Sequence, residues 1–437
     1  MNEHGPGPFV KRRAELFSYV GLEVEQATLR ARYEQDGTSF QETVTFEGVK
    51  TLDQPAVRLL SELWYLVAGL SYYKAGAARA IDLGSTTLGI AGEELFRAAL
   101  VDGLGEFAYR NELSLEDVVI KGGAAVQTQK APTDPQKVLI PFGGGIDSVV
   151  TTTQISTHLD QTLFIVSPSS GRFAALERTA EVTGLPIMRA SRSLDAKILK
   201  GDATFFNGHV PVTAMITLLA AIAALATGRG GIVMSNEHSA SEPNLHWNNR
   251  DVNHQWSKSW VAEELIAHAI HERVGSSVEV ASFLRDRSEL WVAQKFAERT
   301  EYHHVFRSCN RAFSQDQTQR LGNWCGVCDK CLFINLVLAP FLTRGQLRSI
   351  FDAEPLADPA LEGQLRALVG IGQDHKPFEC VGDPDESAVA LVKVADLKEW
   401  ADVGSLATTA RLASPDRTFQ ELLEPQGPSR VPAHWLR

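Results

Sequence analysis

Four short runs of mostly aliphatic residues recur through the middle of the chain, at 138–142, 163–167, 185–189 and 232–235, each separated from the next by a helical pattern. Runs this brief, without polar alternation, suit strands covered on both faces. Strands alternating with helices predict a parallel α/β sheet with right-handed crossovers. In such a sheet, ligands bind beyond the carboxyl ends of the strands. Three of those ends carry chemistry: Gly143-Gly144-Gly145-Ile146-Asp147-Ser148 follows the first run, Ser167 closes the second, and Ser235-Asn236-Glu237 follows the fourth. All three therefore point at one crevice.

The glycine segment joins a strand to the start of a helical pattern. Consecutive glycines let backbone N–H groups approach an anion closely, and the helix N-terminus behind them adds free donors and a positive dipole end. The Ser148 hydroxyl adds one more donor. The plainer reading is an ordinary strand-to-helix connection with Asp147 as the helix cap. The phosphate-loop pattern ending in Gly-Lys-Ser or Gly-Lys-Thr is absent, which argues against cleavage of a γ-phosphate.

Before this region, residues 17–49 alternate apolar and polar positions around Gln35-Asp36-Gly37, a hairpin signal, and predict an antiparallel meander. From Asp53, Val57, Leu60, Leu63, Leu66 and Leu70 recur at helical spacing, and a second helix is expected from Glu93 to Tyr109. Lys130-Ala131-Pro132-Thr133-Asp134-Pro135 reads as a linker. After the fourth run the chain is dense in polar groups, from Ser235 to Asn244 and from Asn253 to Ser259. Lys258 suits a phosphate or a carboxylate, and Glu237, His238, His254 and Lys258 are candidates for proton transfer.

The protein has five cysteines, and Cys309, Cys325, Cys328 and Cys331 fall close together. In a reducing compartment such a group points to thiolate ligation of Zn²⁺ rather than to disulfides, with unligated thiols as the alternative. Cys380 stands apart and reads as an ordinary packed or surface thiol. Residues 332–342 and 361–368 read as helices. A small α-rich tail follows from about Phe378, ending in an extended surface segment at 424–429.

With 42 Lys and Arg against 53 Asp and Glu, the net charge of −11 gives no field for wrapping a nucleic acid. The start, Met1-Asn2-Glu3-His4-Gly5-Pro6, has no apolar core of a secretory signal, and a cytoplasmic protein is expected. Residues 210–226 carry no charge over nearly a membrane-spanning length. They are rich in alanine and run straight into the fourth apolar run, so a helix covering the sheet is the better expectation.

On these residues the chain resembles known proteins at two levels. The glycine segment is similar to the Ser-Gly-Gly-x-Asp-Ser loop of the PP-loop ATP pyrophosphatase superfamily, whose members release pyrophosphate from ATP as they adenylate a substrate oxygen. It departs at Gly143, where the superfamily has Ser and one more hydroxyl donor. The cysteine arrangement resembles that of the 7-cyano-7-deazaguanine synthase branch, where the zinc is structural, although Cys309 lies farther from the other three. The whole order of motifs, over residues 15 to 375, resembles the UDP-N-acetylmuramoyl-L-alanyl-L-glutamate epimerase family.

That resemblance implies a PP-loop α/β domain (adenine nucleotide alpha hydrolase-like) at 131–308, after an N-terminal α+β domain at 1–130 for substrate, lid or oligomerisation. A Cys-rich helical segment at 309–375 and a tail domain at 376–437 would complete the chain. It implies ATP-dependent inversion of the terminal L-glutamate of UDP-MurNAc-L-Ala-L-Glu in peptidoglycan precursor synthesis, giving AMP and pyrophosphate. ATP and Mg²⁺ would be held by Gly143, Gly144, Gly145, Asp147, Ser148, Ser167 and Asn236, and Zn²⁺ by Cys309, Cys325, Cys328 and Cys331. Lys258, His254 and Glu237 are the expected catalytic groups, Lys258 foremost. The alternatives are another PP-loop adenylating ligase, deazaguanine-forming or amide-forming, and a zinc-stabilised nucleotide-binding regulator. Neither a nucleic acid nor a membrane is an expected partner, and the oligomeric state is open.

Overall fold

The computed structural model describes residues 11–314, 317–372 and 375–436; the stretch from Met1 to Pro6 lies outside them. Strands β1 (Leu16–Glu25), β2 (Thr28–Gln35) and β3 (Thr38–Phe46) form the expected antiparallel meander. Its second turn places Asp36 and Gly37 at φ of 45° and 82°. That pair of left-handed residues matches the twist of a two-residue hairpin. Helix α1 (Pro55–Tyr73) follows, opened by a proline in its first turn. Next come β4 (Ala80–Asp82), α2 (Ile90–Val101), α3 (Gly105–Arg110) and β5 (Val119–Lys121). The single helix expected over 93–109 is thus two. They part at Gly103, where a Cβ would lie 2.5 Å from the Ala99 carbonyl oxygen and 2.9 Å from the Trp256 ring.

The central region runs β6 (Asp134–Pro141), α4 (Ile146–Gln154), β7 (Asp160–Pro168), α5 (Ala174–Val182), β8 (Ile187–Ser193), α6 (Ala196–Lys200), α7 (Val212–Ala226) and β9 (Arg229–Met234). A small hairpin of β10 (Leu245–Trp247) and β11 (Arg250–Val252) precedes α8 (Trp260–Val274) and β12 (Glu279–Ser282). Strands β9, β6, β7 and β8 are parallel neighbours, as the alternation predicts, and β12, which no apolar run marked, adds a fifth parallel strand beside β9. Sheet formation continues past β8. It pairs antiparallel with β3, and β2, β1, β4 and β5 complete a ten-stranded sheet. The segment before residue 130 and the segment after it therefore share one sheet. At the joint, buried Glu42 of β3 meets Arg192 of β8 at 2.5 Å, so neither charge is left unpaired in the interior.

Strand β6 shows why its run is apolar throughout. Val138 and Ile140 enter the core on one face of the sheet, and Leu139 enters the core on the other. Helix α7, the uncharged stretch, covers the second face and packs on α1 and β9. It has 15 residues, and no helix among the described residues is long and apolar enough to cross a membrane.

The last third is helical: α9 (Glu289–Ala297), α10 (Asp329–Leu338), α11 (Arg344–Phe351), α12 (Glu362–Leu368), α13 (Pro384–Ala395), α14 (Gly404–Leu412) and α15 (Phe419–Leu422). It packs on the first face of the sheet rather than standing off as a tail. Helix α13 lies on α9 and α10, and Trp435 is fully buried 2.9 Å from where a Cβ on Gly231 of β9 would sit. The segment at 424–429 is largely exposed, as expected.

Candidate active site

The site forms where β6 ends. Phe142 to Gly145 turn the chain into α4, with Gly145 as the extended residue before the helix. Gly144 has φ of 73°, and a Cβ on it would lie 3.3 Å from the Leu176 backbone. A Cβ on Gly145 would lie 2.8 Å from Ser308 Oγ, whereas one on Gly143 meets nothing within 4 Å. A side chain at the second glycine is strained by its left-handed backbone, and one at the third would crowd the Ser308 hydroxyl; at the first there is open space.

Over this turn lies a cavity of about 290 Å³. Gly143, Gly145, Asp147, Ser148 and Asn236 border it, as the strand-end argument predicts, and Lys258 of the polar segment joins them, whereas Glu237 is not on its wall. Arg307, Ser308, Lys330 and Cys380, which the motifs did not single out, border it too. Phe142, Phe164, Leu176 and Phe313 supply an apolar wall. Gly144 shapes the turn from behind, its carbonyl accepting the Arg307 N–H at 3.2 Å. Ser148 Oγ donates to the Gly145 carbonyl at 3.1 Å, and Asn236 Nδ2 donates to Ser282 Oγ at 3.0 Å. Ser167 borders an adjoining cavity of about 240 Å³ that shares Val166 and Ile216 with the first, and its buried Oγ has no partner among the described residues.

Three carboxylates converge on the turn. Oxygens of Asp147, Glu237 and Glu289 lie within 4.8 Å of one another, and Asp147 Oδ1 and Glu289 Oε2 are buried without a hydrogen-bond partner. Burial and the nearby Glu237 charge push the Asp147 carboxyl up to about 7, with Lys330 and Lys258 offsetting only part of this. Burial, Asp147 and Glu237 hold Glu289 well above the usual carboxylate range. Crowded, orphaned oxygens of this kind are a donor set for a hard divalent cation.

Lys258 is fixed as a cation. Burial disfavours its charge, but Cys380, Glu237 and Asp147 outweigh that and raise its pKa. Its position comes from Arg285, a buried side chain with no local sequence signal. Arg285 donates to the Lys258 carbonyl at 2.7 Å and to the Glu237 carbonyl at 2.9 Å, and pairs with Glu263 at 2.8 Å. Both ends of the polar loop are therefore tied to one guanidinium.

His254 is not on the cavity wall but behind it. Its Nδ1 meets Glu106 Oε2 at 2.5 Å, and Cys380 is close enough to act on its charge. Burial disfavours the imidazolium, yet these two partners raise its pKa to about 9. His209 packs against it with ring centroids 4.1 Å apart and planes tilted by 40°, and burial together with the His254 charge pushes His209 down to about 3. Donors of Glu106, His209 and His254 also lie within 4.8 Å of one another. The short His254–Glu106 contact commits those two atoms to each other rather than to an ion. His238 turns away from the cavity toward Gly427.

Cys380 is not the ordinary packed or surface thiol expected of it. It reaches the cavity from the segment before α13, and Lys330 Nζ donates to its carbonyl. Burial would raise the thiol, but Lys258, His254 and Lys330 pull it down to about 6.

The other four cysteines form one cluster. Their sulfurs lie within 4.8 Å of each other, with Cys325–Cys331 at 3.6 Å and Cys328–Cys331 at 3.5 Å, and none is in a disulfide. Four thiolates on a tetrahedral zinc at 2.3 Å stand about 3.8 Å apart, so the cluster fits that ion. The long spacing from Cys309 is closed by the fold. Arg307 and Ser308 lead from the glycine turn to Cys309, and Cys328 caps α10, which carries Lys330 to the cavity. Proximity to the cysteine motif was the available signal for Arg307, Ser308 and Lys330. Glu289, Glu106 and His209 had none.

Fold and site together define a mixed α/β protein with a glycine turn and a carboxylate cluster at the carboxyl ends of a largely parallel sheet. Comparison with known families narrows this. Residues 9–283 match the MurL N-terminal domain and residues 305–421 the MurL C-terminal domain. The chain is 36% identical to a UDP-N-acetyl-alpha-D-muramoyl-L-alanyl-L-glutamate epimerase of Micromonospora sp., over 98% of both chains. It is 34% identical to the proteins of that name from Salinispora tropica, over 97% of this chain and 95% of the relative, and from Xanthomonas oryzae pv. oryzae, over 98% of both. The chain belongs to the MurL family.

Proposed function

We propose that this protein is an ATP-dependent epimerase that converts the terminal L-glutamate of UDP-MurNAc-L-Ala-L-Glu to D-glutamate through an acyl-adenylate, releasing AMP and pyrophosphate, in peptidoglycan precursor synthesis. The observation that carries this reading is the meeting, at one cavity, of the glycine turn, the cations Lys258, Lys330 and Arg307, and the orphaned carboxylate of Asp147, which Glu237 and Glu289 crowd from behind. A triphosphate with its metal ion presents both signs of charge, and this cavity answers both. On the same reading the glycine turn is a PP-loop, Asp147, Glu237 and Glu289 hold Mg²⁺, and the four-cysteine cluster holds a structural Zn²⁺. Bound Mg²⁺ would draw charge from the triphosphate.

The chemistry explains why ATP is needed. A proton on the carbon next to a carboxylate is very weakly acidic, because its removal places a second negative charge beside the first. Adenylation removes the first charge and makes the carbonyl electron-withdrawing, so that a base of ordinary strength suffices. In this scheme the backbone N–H groups of 143–145 and Ser148 bind phosphate oxygens, with Asn236 and Ser167 lining the nucleotide site. Lys258, a permanent cation, neutralises charge on the substrate carboxylate or phosphate. Glu237 serves the metal cluster, and His254 acts from behind the wall. The open position at Gly143 leaves the missing hydroxyl to Ser148 and the backbone.

Incubation with ATP, Mg²⁺ and UDP-MurNAc-L-Ala-L-Glu, followed by acid hydrolysis and chiral separation of glutamate, tests the reading. D-glutamate formed with AMP supports it. AMP formed only with ammonia and a different acid would identify a ligase, and bound ATP without turnover a regulator.

A further inference from the structure

Cys380 borders the same cavity as the glycine turn and the unpartnered Asp147 carboxylate, yet binding of nucleotide and cation leaves it without a task. Behind it stands a chain of groups drawn from distant parts of the sequence. His254 stands behind the cavity wall near enough to Cys380 for each to act on the other's charge, and its Nδ1 meets Glu106 Oε2 at 2.5 Å. The other oxygen of Glu106 accepts from Arg110 Nε at 2.5 Å, and Asn244 Oδ1 accepts the His254 backbone N–H at 2.7 Å. A thiol beside an imidazole that is itself oriented by a carboxylate is the arrangement that turns sulfur into a thiolate. Lys258, bordering the same cavity, adds a positive charge that favours the thiolate. The other candidate bases are spoken for: Lys258 is held as a cation, and Glu237 sits in the carboxylate cluster.

We propose that Cys380 is the catalytic residue that removes the Cα proton of the activated glutamate, with His254 and Glu106 as the positioning residues behind it. The proposal rests on the function proposed above. In the step, the Cα–H bond breaks, its electron pair moves into the enolate of the adenylated carbonyl, and the proton forms the S–H bond of Cys380. A water molecule returns a proton to the opposite face, and the thiol loses its own proton to solvent. Nothing is oxidised or reduced.

The test uses the full-length protein with ATP, Mg²⁺ and UDP-MurNAc-L-Ala-L-Glu in D₂O. Wild-type product carries one deuterium at the glutamate Cα. Cys380→Ser and Cys380→Ala still release AMP from ATP in a substrate-dependent way, while deuterium incorporation and D-glutamate both fall by about 100-fold or more. Incorporation at the wild-type rate in either variant overturns the proposal. So does loss of AMP release together with exchange, which would place Cys380 in adenylation. A wild-type protein that releases no AMP with this substrate removes the underlying function itself, a result seen before any variant is compared. A second readout needs no turnover: iodoacetamide alkylates Cys380 at neutral pH, ATP plus substrate protect it, and Glu106→Gln slows the alkylation about 10-fold. Unchanged alkylation in Glu106→Gln overturns the positioning role.

Discussion

Replacing Asp147 by asparagine separates what the carboxylate cluster costs the fold from what it does for function. Burial and the Glu237 charge raise the Asp147 pKa from 3.8 to about 7. The sign follows from linkage. Below pH 4 the group is protonated in both folded and unfolded chains and has no effect. Between about pH 4 and 7 the unfolded chain releases the proton while the folded one retains it, so stability falls as pH rises; above pH 7 the whole penalty stands. A difference of about three in pKa corresponds to about 4 kcal/mol, an upper value because Glu237 shares the repulsion. Asparagine keeps the shape and cannot ionise. In magnesium-free buffer Asp147→Asn is therefore expected to be more stable than wild type at pH 8 by about 2 kcal/mol, the advantage shrinking by more than half at pH 5. Urea unfolding at the two pH values measures it. The same variant is expected to lose stabilisation by Mg²⁺ and at least about 100-fold of AMP release. An equal stability difference at both pH values, or wild-type turnover, would refute the reasoning.

Three further substitutions probe the turn and the cysteine cluster. Gly143→Ser places a side chain in open space, so its melting temperature should match wild type, and its KM for ATP should be equal or lower because a hydroxyl joins the phosphate donors. Gly144→Ala forces a side chain into a left-handed backbone against Leu176; a loss of about 1–2 kcal/mol in unfolding free energy is expected, with ATP affinity reduced as the turn distorts. Cys328→Ser breaks the sulfur set at the N-terminus of α10; elemental analysis should show zinc lost, and the melting temperature should fall by roughly 5–10 °C.

What could be read from the sequence was locally encoded. The alternation of apolar runs with helical segments specified four of the five parallel strands because each run carries its own pattern; β12, of four residues, had none. The glycine turn and the Cys-x-x-Cys-x-x-Cys spacing announced themselves within ten residues each. Strands β4 and β5, of three residues, are too short to show a period, and they exist because β1 offers an edge to pair with. Pairing of β3 with β8, whose partners such as Thr43 and Ser193 are 150 residues apart, likewise has no local mark, so the linker near 130 read as a boundary where the sheet is continuous. The site divides the same way. Asp147 and Lys258 were found because they sit in dense motifs, and the structure brings both to the cavity. Glu289 begins an ordinary helix, Glu106 lies in a short one, and Cys380 is a single cysteine in a loop; only the fold brings them to the glycine turn and to His254.

The most direct test of the account is to trap the activated carboxylate. Protein, ATP, Mg²⁺ and UDP-MurNAc-L-Ala-L-Glu are mixed in neutral hydroxylamine, and the products are resolved by mass spectrometry. The account predicts the glutamyl hydroxamate of the substrate with an equal amount of AMP, both lost in Asp147→Asn. Epimerisation that proceeds without ATP, or nucleotide recovered as ADP and phosphate with no hydroxamate, would contradict it.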